Sequence, residues 1–239
     1  MKKTLERYYD QRSSSYSDLD EPETIVSCVR AIGIKDHMAV IRPKPDDKIL
    51  DVGCGTGRFL KPFSVANVVG FDLSFNMLRR AKNIAPLVRG DAEHLPFKDE
   101  SFDVVHSAGL TGVLRSRKIL EEMARVVRSN KYVYVSFPAA SSMSGAIARS
   151  ILRLSRGKYN PSLLDHWYTK KDIRVMFPPS MEIEEMIRLG WELPFQRLFK
   201  GLRSKKLSRL FVFMERHLRD KPLLSLFGAR FLVKARKKG

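Results

Sequence analysis

The residues best suited to chemistry are three aspartates, each at the end of a short apolar run. Asp51 directly precedes a turn rich in glycine, Asp72 follows the second run and Asp91 follows the third. Because parallel strands end at one edge of a sheet, the three carboxylates would line a single cleft although they are far apart in sequence. Such a set suits a ligand that carries hydroxyl groups, an exocyclic amine and a positive charge. The three aspartates together predict a site for an adenosine nucleoside with a cationic tail.

The turn after Asp51 would bring its backbone close to that ligand. Gly53, Gly55 and Gly57 lack the Cβ atoms that would keep a ligand away, and a helix expected from about Arg58 would direct its free N–H groups towards it. A dinucleotide site needs a third glycine at the position of Arg58. We therefore expect a small zwitterionic or cationic adenosine ligand rather than NAD, with a purely structural turn as the alternative.

Length and composition indicate one domain with additions. A chain of 239 residues can bury one large core, and two cysteines, Cys28 and Cys54, are too few for a disulfide framework. No apolar run has the length of a membrane-spanning helix, and the N-terminus lacks the hydrophobic segment of a signal peptide. These features predict a cytoplasmic protein that is neither secreted nor integral to a membrane.

The net charge of +18 is concentrated near the C-terminus. Residues 195–239 contain fourteen Lys or Arg but only two acidic residues, Glu215 and Asp220. A localised basic field suggests an anionic partner such as a phospholipid head group, a nucleic acid or an acidic protein. A solvated basic face is an equally good interpretation.

Apolar runs alternate with segments of helical periodicity, and this pattern predicts an α/β fold. Strands connected by helices at this spacing form right-handed crossovers in a parallel sheet that is covered on both faces. The expected strands are 49–52, 67–71, 87–88, 102–106 and 132–137, and the expected helices are 74–83 and 116–127.

The flanking segments complete the organisation. Residues 1–20 have the composition of a mobile arm, a helix follows over 23–41, and 170–176 is helical again. Alternating apolar residues predict two late strands, and Leu202 to Leu218 predicts a basic amphipathic helix between them. We divide this single domain into an arm and helix (1–45), a cofactor-binding core (46–137), a cap for the substrate (138–180) and the last strands with the inserted helix (181–239).

Three ordered segments carry a resemblance to a known family. They read ILDVGCGTG over 49–57, GFDLSFNML over 70–78 and GDAEHLPFKDESFDVV over 90–105. They resemble the successive motifs of class I S-adenosylmethionine-dependent methyltransferases, particularly the branch of ubiquinone and menaquinone C-methyltransferases, over about residues 48–137. The resemblance implies a Rossmann-like seven-stranded, mostly parallel sheet with an antiparallel last strand, helices on both faces and an inserted helical cap. It also implies S-adenosylmethionine as methyl donor and S-adenosylhomocysteine as product.

The resemblance further implies which residues bind the cofactor. The glycines would approach its methionine part, Asp51 its amino group, Asp72 its ribose hydroxyls and Asp91 its adenine. The complete set expected around the cofactor is Tyr16 as a cover, Asp51, Gly53, Gly55, Gly57, Asp72, Leu73, Met77 near adenine, Asp91, the Ala92 amide and Ser107 near the sulfonium.

Catalysis would be an in-line displacement in which positioning supplies most of the acceleration. A general base is needed only if the acceptor retains its proton. His94, His106 and His166 are the candidates, of which His106 and His166 are preferred for their positions, and a structural histidine is the alternative for each. No metal is expected. The chain departs from the family at Arg128–Lys131, where a proline and two glycines are usual, and at Gly109–Gly112, where a histidine is often found.

The acceptor is expected to be a small or lipid-like molecule. The residues after the fourth strand, His106 to Gly109, lack the Asn-Pro-Pro-aromatic motif of amino-methylating nucleic-acid enzymes. We expect either that residues 200–221 contact an anionic membrane or, as an alternative of equal weight, that their apolar stripe packs on the sheet or on a second subunit. A nucleic acid is a weaker candidate. The alternatives are an RNA methyltransferase and a regulatory protein that binds the cofactor without catalysis. The sequence leaves a homodimer open.

Overall fold

Seven strands form one sheet in the order β3-β2-β1-β4-β5-β7-β6. The computed structural model describes residues 2–17, 25–141, 166–191, 206, 209–210, 212–213 and 228–239. The strands are β1 (Lys48–Val52), β2 (Asn67–Asp72), β3 (Leu87–Arg89), β4 (Phe102–Ala108), β5 (Val127–Pro138), β6 (Met181–Trp191) and β7 (Gly228–Lys237). The named helices are α1 (Lys2–Ser17), α2 (Ile25–Ile41), α3 (Leu60–Phe63), α4 (Phe75–Ala81), α5 (Arg117–Val126) and α6 (Lys170–Met176).

The direction of the strands confirms the expected sheet. Strands β1 to β5 pair in parallel, and β7 is antiparallel to both of its neighbours, β5 and β6. In the register of β1, Asp51 lies between Gly70 of β2 and His106 of β4. Parallel pairing brings the carboxyl ends of β1, β2, β3 and β4 to one edge.

The core consists of two hydrophobic clusters, because successive residues of each strand alternate between the faces of the sheet. Leu50, Val105 and Val133 belong to one cluster, which also contains the buried side of α5. Ile49 and Val104 belong to the other, which contains residues of α2, α3 and α4. Within the described ranges, no helix combines the length and apolarity that crossing a membrane requires.

Two helices begin as the sequence predicts. Ser74 precedes α4, and its hydroxyl accepts a hydrogen bond from the backbone N–H of Met77. Thr169 precedes α6 in a capping box, because its side chain and that of Asp172 each accept a backbone N–H of the other.

The helix expected from about Arg58 differs from the prediction in its start and its length. Turns continue through Phe59, and α3 contains only the four residues Leu60–Phe63. Gly55 and Gly57 have φ angles of 56° and 85°, which keep this part of the chain out of the helical region. The helix therefore begins two residues later than predicted and is short, and its role towards the ligand stays a prediction.

The prediction of a mobile arm over residues 1–20 is also wrong for residues 2–17. They form α1, which packs against α4, and Leu5 is buried in the same core cluster as Phe71. Composition alone could not reveal this helix, because its stability comes from burial against residues that are distant in sequence.

Part of the C-terminal charge is neutralised at the edge of the sheet. Lys234 forms ion pairs with Glu184 and Glu185, and Arg236 pairs with Glu182 and Glu184. Antiparallel pairing of β6 and β7 brings these side chains together. The basic residues of β7 therefore belong largely to the solvated sheet rather than to an anion-binding surface.

Two predicted segments lie outside the described residues. The cap helix expected over Ser141 to Ser155 and the loop that follows it fall mainly within 142–165, and most of the amphipathic helix expected from Leu202 to Leu218 is also outside.

Replacing Arg125 by lysine is expected to lower the free energy of unfolding by about 2 kcal/mol. The guanidinium donates to both carboxylate oxygens of Glu122, to Asp99 and to the carbonyls of Leu95 and Phe97. A lysine keeps the charge but lacks the planar fork that serves these acceptors together. Urea unfolding would measure the loss.

The matched control is Arg117→Lys. Arg117 forms an exposed pair with Glu121 on the same helix, and a change below about 0.5 kcal/mol is expected. Equal losses of stability in the two variants would contradict the proposed contribution of the Arg125 hydrogen bonds to the free energy of unfolding.

Candidate active site

The glycine turn is tied to the end of β2 by backbone hydrogen bonds. The N–H groups of Gly53 and Cys54 donate to the carbonyl of Phe71 at 2.7 and 3.0 Å. Burial, with the negative charges of Asp51 and Asp72, raises the pKa of the Cys54 thiol far above its usual range. Cys54 therefore packs as a neutral thiol within the turn.

Asp72 connects this turn to the start of α4. One carboxylate oxygen accepts the N–H of Gly55 at 2.8 Å, and the other accepts the N–H of Ser74 at 2.9 Å. Burial is the largest cause that raises the pKa of Asp72, while the two backbone hydrogen bonds act in the opposite direction. Each oxygen keeps a further lone pair, so the carboxylate can still accept the hydroxyl groups of a ribose.

Asp51 is buried beside His106. Its Oδ1 lies 2.8 Å from Nδ1 of the imidazole, and both side chains have almost no exposure. Its Oδ2 is also buried and has no hydrogen-bond partner within the part of the chain that is described. A buried carboxylate oxygen that has no hydrogen-bond partner is suited to bind the cationic group of a ligand.

Asp91 and Ala92 lie at the same edge, after β3. The N–H of Glu93 donates to a carboxylate oxygen of Asp91 at 3.0 Å, and the N–H of the preceding Gly90 donates to the carbonyl of Asp72. Met77 is buried on α4. The assignment of these three residues to the adenine remains a prediction.

The end of β4 is joined to the cap through the turn Leu110–Gly112. The hydroxyl of Tyr168 donates to the carbonyl of Thr111 at 2.8 Å, and the backbone of Tyr168 forms hydrogen bonds with Pro138 and Ala140. The N–H of His166 lies 3.5 Å from the carbonyl of Gly112. Burial raises the pKa of Tyr168 to about 12, so its hydroxyl remains a donor at neutral pH.

The two candidate bases and Ser107 occupy different environments. His106 is completely buried within β4, whereas His166 is half-buried near the turn at the end of that strand. Ser107 is buried, and its hydroxyl has no hydrogen-bond partner among the described residues. Of the three, Ser107 and His166 lie nearer the carboxyl edge of the sheet.

Helix α1 contributes residues that sequence reasoning missed. Asp10 accepts hydrogen bonds from the hydroxyl of Ser74 at 2.5 Å and from the N–H of Asn76 at 3.1 Å. It therefore caps the N-terminus of α4 although it lies far away in the sequence. Glu6 pairs with Arg89, which also donates to the carbonyl of Leu73. No local signal could have identified these contacts. The backbone of Tyr16 belongs to α1, but its side chain lies outside the described residues.

His37 is a further residue that was missed. Its Nδ1 lies 2.7 Å from the carbonyl of Gly33, and its Nε2 lies 2.8 Å from the hydroxyl of Ser136 on β5. Burial, followed by the nearby His106, lowers the pKa of His37 to about 3. A single histidine in an apolar helix was the only sequence signal.

The residues at this edge fit S-adenosylmethionine. Buried atoms of Asp51 and Ser107 have unused hydrogen-bonding capacity within the described ranges, and the carboxylate of Asp51 suits a cationic amine. Gly55 adopts a positive φ, and a Cβ at this position would meet no atom within 4 Å. The turn therefore offers open space beside exposed backbone.

Comparisons with known proteins identify related sequences and folds. A family model described as "Methyltransferase domain" matches residues 50–135. The chain is 35% identical to a demethylmenaquinone methyltransferase of Paenarthrobacter aurescens over 52% of the chain and 54% of that protein. It is 34% identical to one of Lysinibacillus sphaericus over 61% of the chain and 68% of the relative. Magnesium protoporphyrin IX methyltransferase of Synechocystis PCC 6803, solved with bound S-adenosylhomocysteine, superposes with a TM-score of 0.68 at 14% identity, with both chains fully covered.

The fold and the relatives define the class of protein. The chain belongs to the class I S-adenosylmethionine-dependent methyltransferases, as its motifs predict. Within that class it resembles the demethylmenaquinone methyltransferases. The matched region spans about half the length of the Paenarthrobacter protein.

Proposed function

We propose that this methyltransferase transfers a methyl group to a lipid-soluble, quinone-like aromatic acceptor. The proposal is supported by the names of its relatives, which include demethylmenaquinone methyltransferases at 34% and 35% identity. The single observation that carries the cofactor-binding half of the proposal is the buried Asp51 carboxylate beside the glycine turn, with one oxygen available to a cation.

In this proposal the side chains divide the cofactor between them. Asp51 binds the ammonium group, Asp72 accepts the ribose hydroxyls, and Asp91 with the Ala92 amide binds the adenine. S-adenosylmethionine supplies an electrophilic methyl group on its sulfonium. Ser107 would lie near that group, and the remaining chemical requirement would be alignment of the acceptor.

The acceptor would bind beside the turn Leu110–Gly112, near the place where the segment around His166 meets this turn. This assignment is supported by the hydrogen bonds that join His166 and Tyr168 to the turn. His166 is our candidate for the group that removes a proton from an acceptor hydroxyl or ring carbon.

Labelled methyl donor would test the proposal. The purified protein is incubated with it in the presence of a reduced demethylated isoprenoid quinone, total RNA or an aqueous metabolite extract. We expect label in the quinone fraction. Label in RNA would support an RNA methyltransferase instead, and tight binding of S-adenosylhomocysteine without any transfer would support a regulatory protein.

A lipid-soluble acceptor also suggests contact with a membrane surface. Leu210 and Phe213 are more than half exposed, and the neighbouring Lys206 and Arg209 are exposed cations. Apolar side chains flanked by lysine and arginine are typical of helices that bind anionic bilayers at the interface.

The double substitution Leu210→Glu and Phe213→Glu is expected to reduce binding to vesicles of phosphatidylglycerol and phosphatidylcholine at least tenfold, because two inserting groups become negative charges. Vesicle sedimentation measures the effect. Val65→Glu is the matched control, since Val65 is 57% exposed elsewhere on the surface. Equal vesicle binding by the double variant and the control would exclude a membrane role for this segment.

A further inference from the structure

His106 occupies a position in which an ordinary core residue would be apolar. It lies in the middle of the sheet on β4, directly opposite Asp51 of β1, and it is completely buried. Its Nδ1 lies 2.8 Å from Oδ1 of Asp51. Because an ionised carboxylate only accepts hydrogen bonds, the proton between them belongs to Nδ1 of the imidazole.

Three rings surround this imidazole. The centroids of Phe59, Phe63 and His37 lie 4.6, 5.1 and 5.4 Å from that of His106. Nε2 of His106 has no hydrogen-bond partner among the described residues. The contact with Asp51 is therefore the one hydrogen bond of the imidazole among the described residues.

The consequence for Asp51 is a fixed orientation. A carboxylate without a partner could rotate about its terminal bond, but Oδ1 is held by His106, so the position of Oδ2 is determined as well. Oδ2 is buried, and the glycine turn begins two residues later in the chain. A carboxylate oxygen held in advance binds a cation with a smaller loss of entropy than one that must be ordered on binding.

We propose that His106 is a positioning residue that orients Asp51 for the ammonium group of the amino-acid part of the cofactor. This inference rests on the role proposed above for Asp51. It gives His106 a different task from the general base considered from the sequence, because its Nδ1 is used by Asp51 and its ring is packed against those of Phe59, Phe63 and His37. The role predicts an effect confined to one half of the ligand.

Two ligands distinguish the amino-acid part of the cofactor from its adenosine part. S-adenosylhomocysteine contains the amino-acid part, and 5′-methylthioadenosine has the same adenosine and sulfur but lacks it. Calorimetry on the full chain would measure the affinity of each for the wild-type protein, His106→Leu and His106→Asn. Asparagine places an N–H donor near the position of Nδ1, whereas leucine offers none.

We expect His106→Leu to weaken binding of S-adenosylhomocysteine about 10- to 50-fold and that of 5′-methylthioadenosine less than about twofold. His106→Asn should restore most of the lost affinity. Asp51→Asn should show the same selectivity, and adding His106→Leu to it should cost little more, since both act through one carboxylate. Asp47→Asn, in an exposed turn, should leave both affinities unchanged.

The ratio of the two affinities within one variant cancels any loss of folded protein. Equal weakening of both ligands would overturn the proposal and assign His106 a structural role only. Unchanged affinity for S-adenosylhomocysteine in His106→Leu, with methyl transfer abolished, would overturn it in favour of the general base. Failure of the wild-type protein to bind S-adenosylhomocysteine would instead contradict the cofactor site itself.

Discussion

Replacing Asp72 by asparagine is expected to weaken binding of S-adenosylhomocysteine about 100-fold, which corresponds to about 2.7 kcal/mol. The carboxylate accepts the N–H groups of Gly55 and Ser74 with its two oxygens. An asparagine must turn its NH2 group towards one of these donors, so one contact becomes repulsive. It also offers one acceptor fewer to the ribose hydroxyls. Calorimetric titration measures the change.

The loss should extend to 5′-methylthioadenosine, because we assign Asp72 to the adenosine half of the cofactor. Burial raises the pKa of Asp72 above its usual value, so the ionised carboxylate opposes folding at neutral pH. The neutral asparagine removes this cost of burying a charge. The thermal midpoint of the ligand-free protein should therefore change little, although the affinity for the ligand falls. Asp47→Asn is the control, since Asp47 accepts the N–H of Lys44 in an exposed turn. An affinity loss as large in the Asp47 variant, or none in the Asp72 variant, would refute the role of Asp72.

Acidification from pH 7.5 to 5 is expected to lower the free energy of unfolding by about 2 kcal/mol through His37 alone. Its pKa is about 3 in the folded chain, against 6.5 for an ordinary histidine. Since the folded value is the lower one, the unfolded chain binds the proton first. The stability that neutral His37 provides is present above pH 6.5 and is lost as the pH falls towards 3, where the total reaches about 4 to 5 kcal/mol.

The cause of this dependence is the environment of the ring. Burial excludes the charged form, and the positive groups of Arg58 and Arg230 add to this effect. His37→Gln keeps a side chain that can donate and accept but does not titrate. Urea unfolding at several pH values should show a pH dependence that is smaller by nearly one proton in this variant than in the wild type. Identical slopes in His37→Gln and the wild type would contradict the assignment.

The two halves of the site differ in how they are held. In the half that we assign to adenosine, backbone donors converge on Asp72, and Asp10 of α1 caps the adjacent helix α4. In the half that we assign to the amino-acid part, Asp51 and His106 form a buried side-chain pair. Substitutions in the two halves should therefore separate by ligand.

Local signals in the sequence determined the sheet and the edge at which the site lies. Strands with apolar runs, glycines with their freedom at positive φ and a serine before α4 act through contacts between near neighbours. The order of these signals, combined with the handedness of parallel crossovers, is sufficient to bring Asp51, Asp72 and Asp91 to one edge. The fold class and the methyl donor followed from the same motifs.

Only the tertiary structure decided which partners these residues have. The helix over residues 2–17 exists because Leu5 is buried and Asp10 reaches Ser74, which lies 64 positions away. His106 was identified from its place in the chain as a candidate base, but the register of β1 and β4 pairs it with Asp51 inside the sheet. Periodicity indicates which face a residue occupies. It carries no information about which distant side chain completes a hydrogen bond there, because that depends on how separate elements pack.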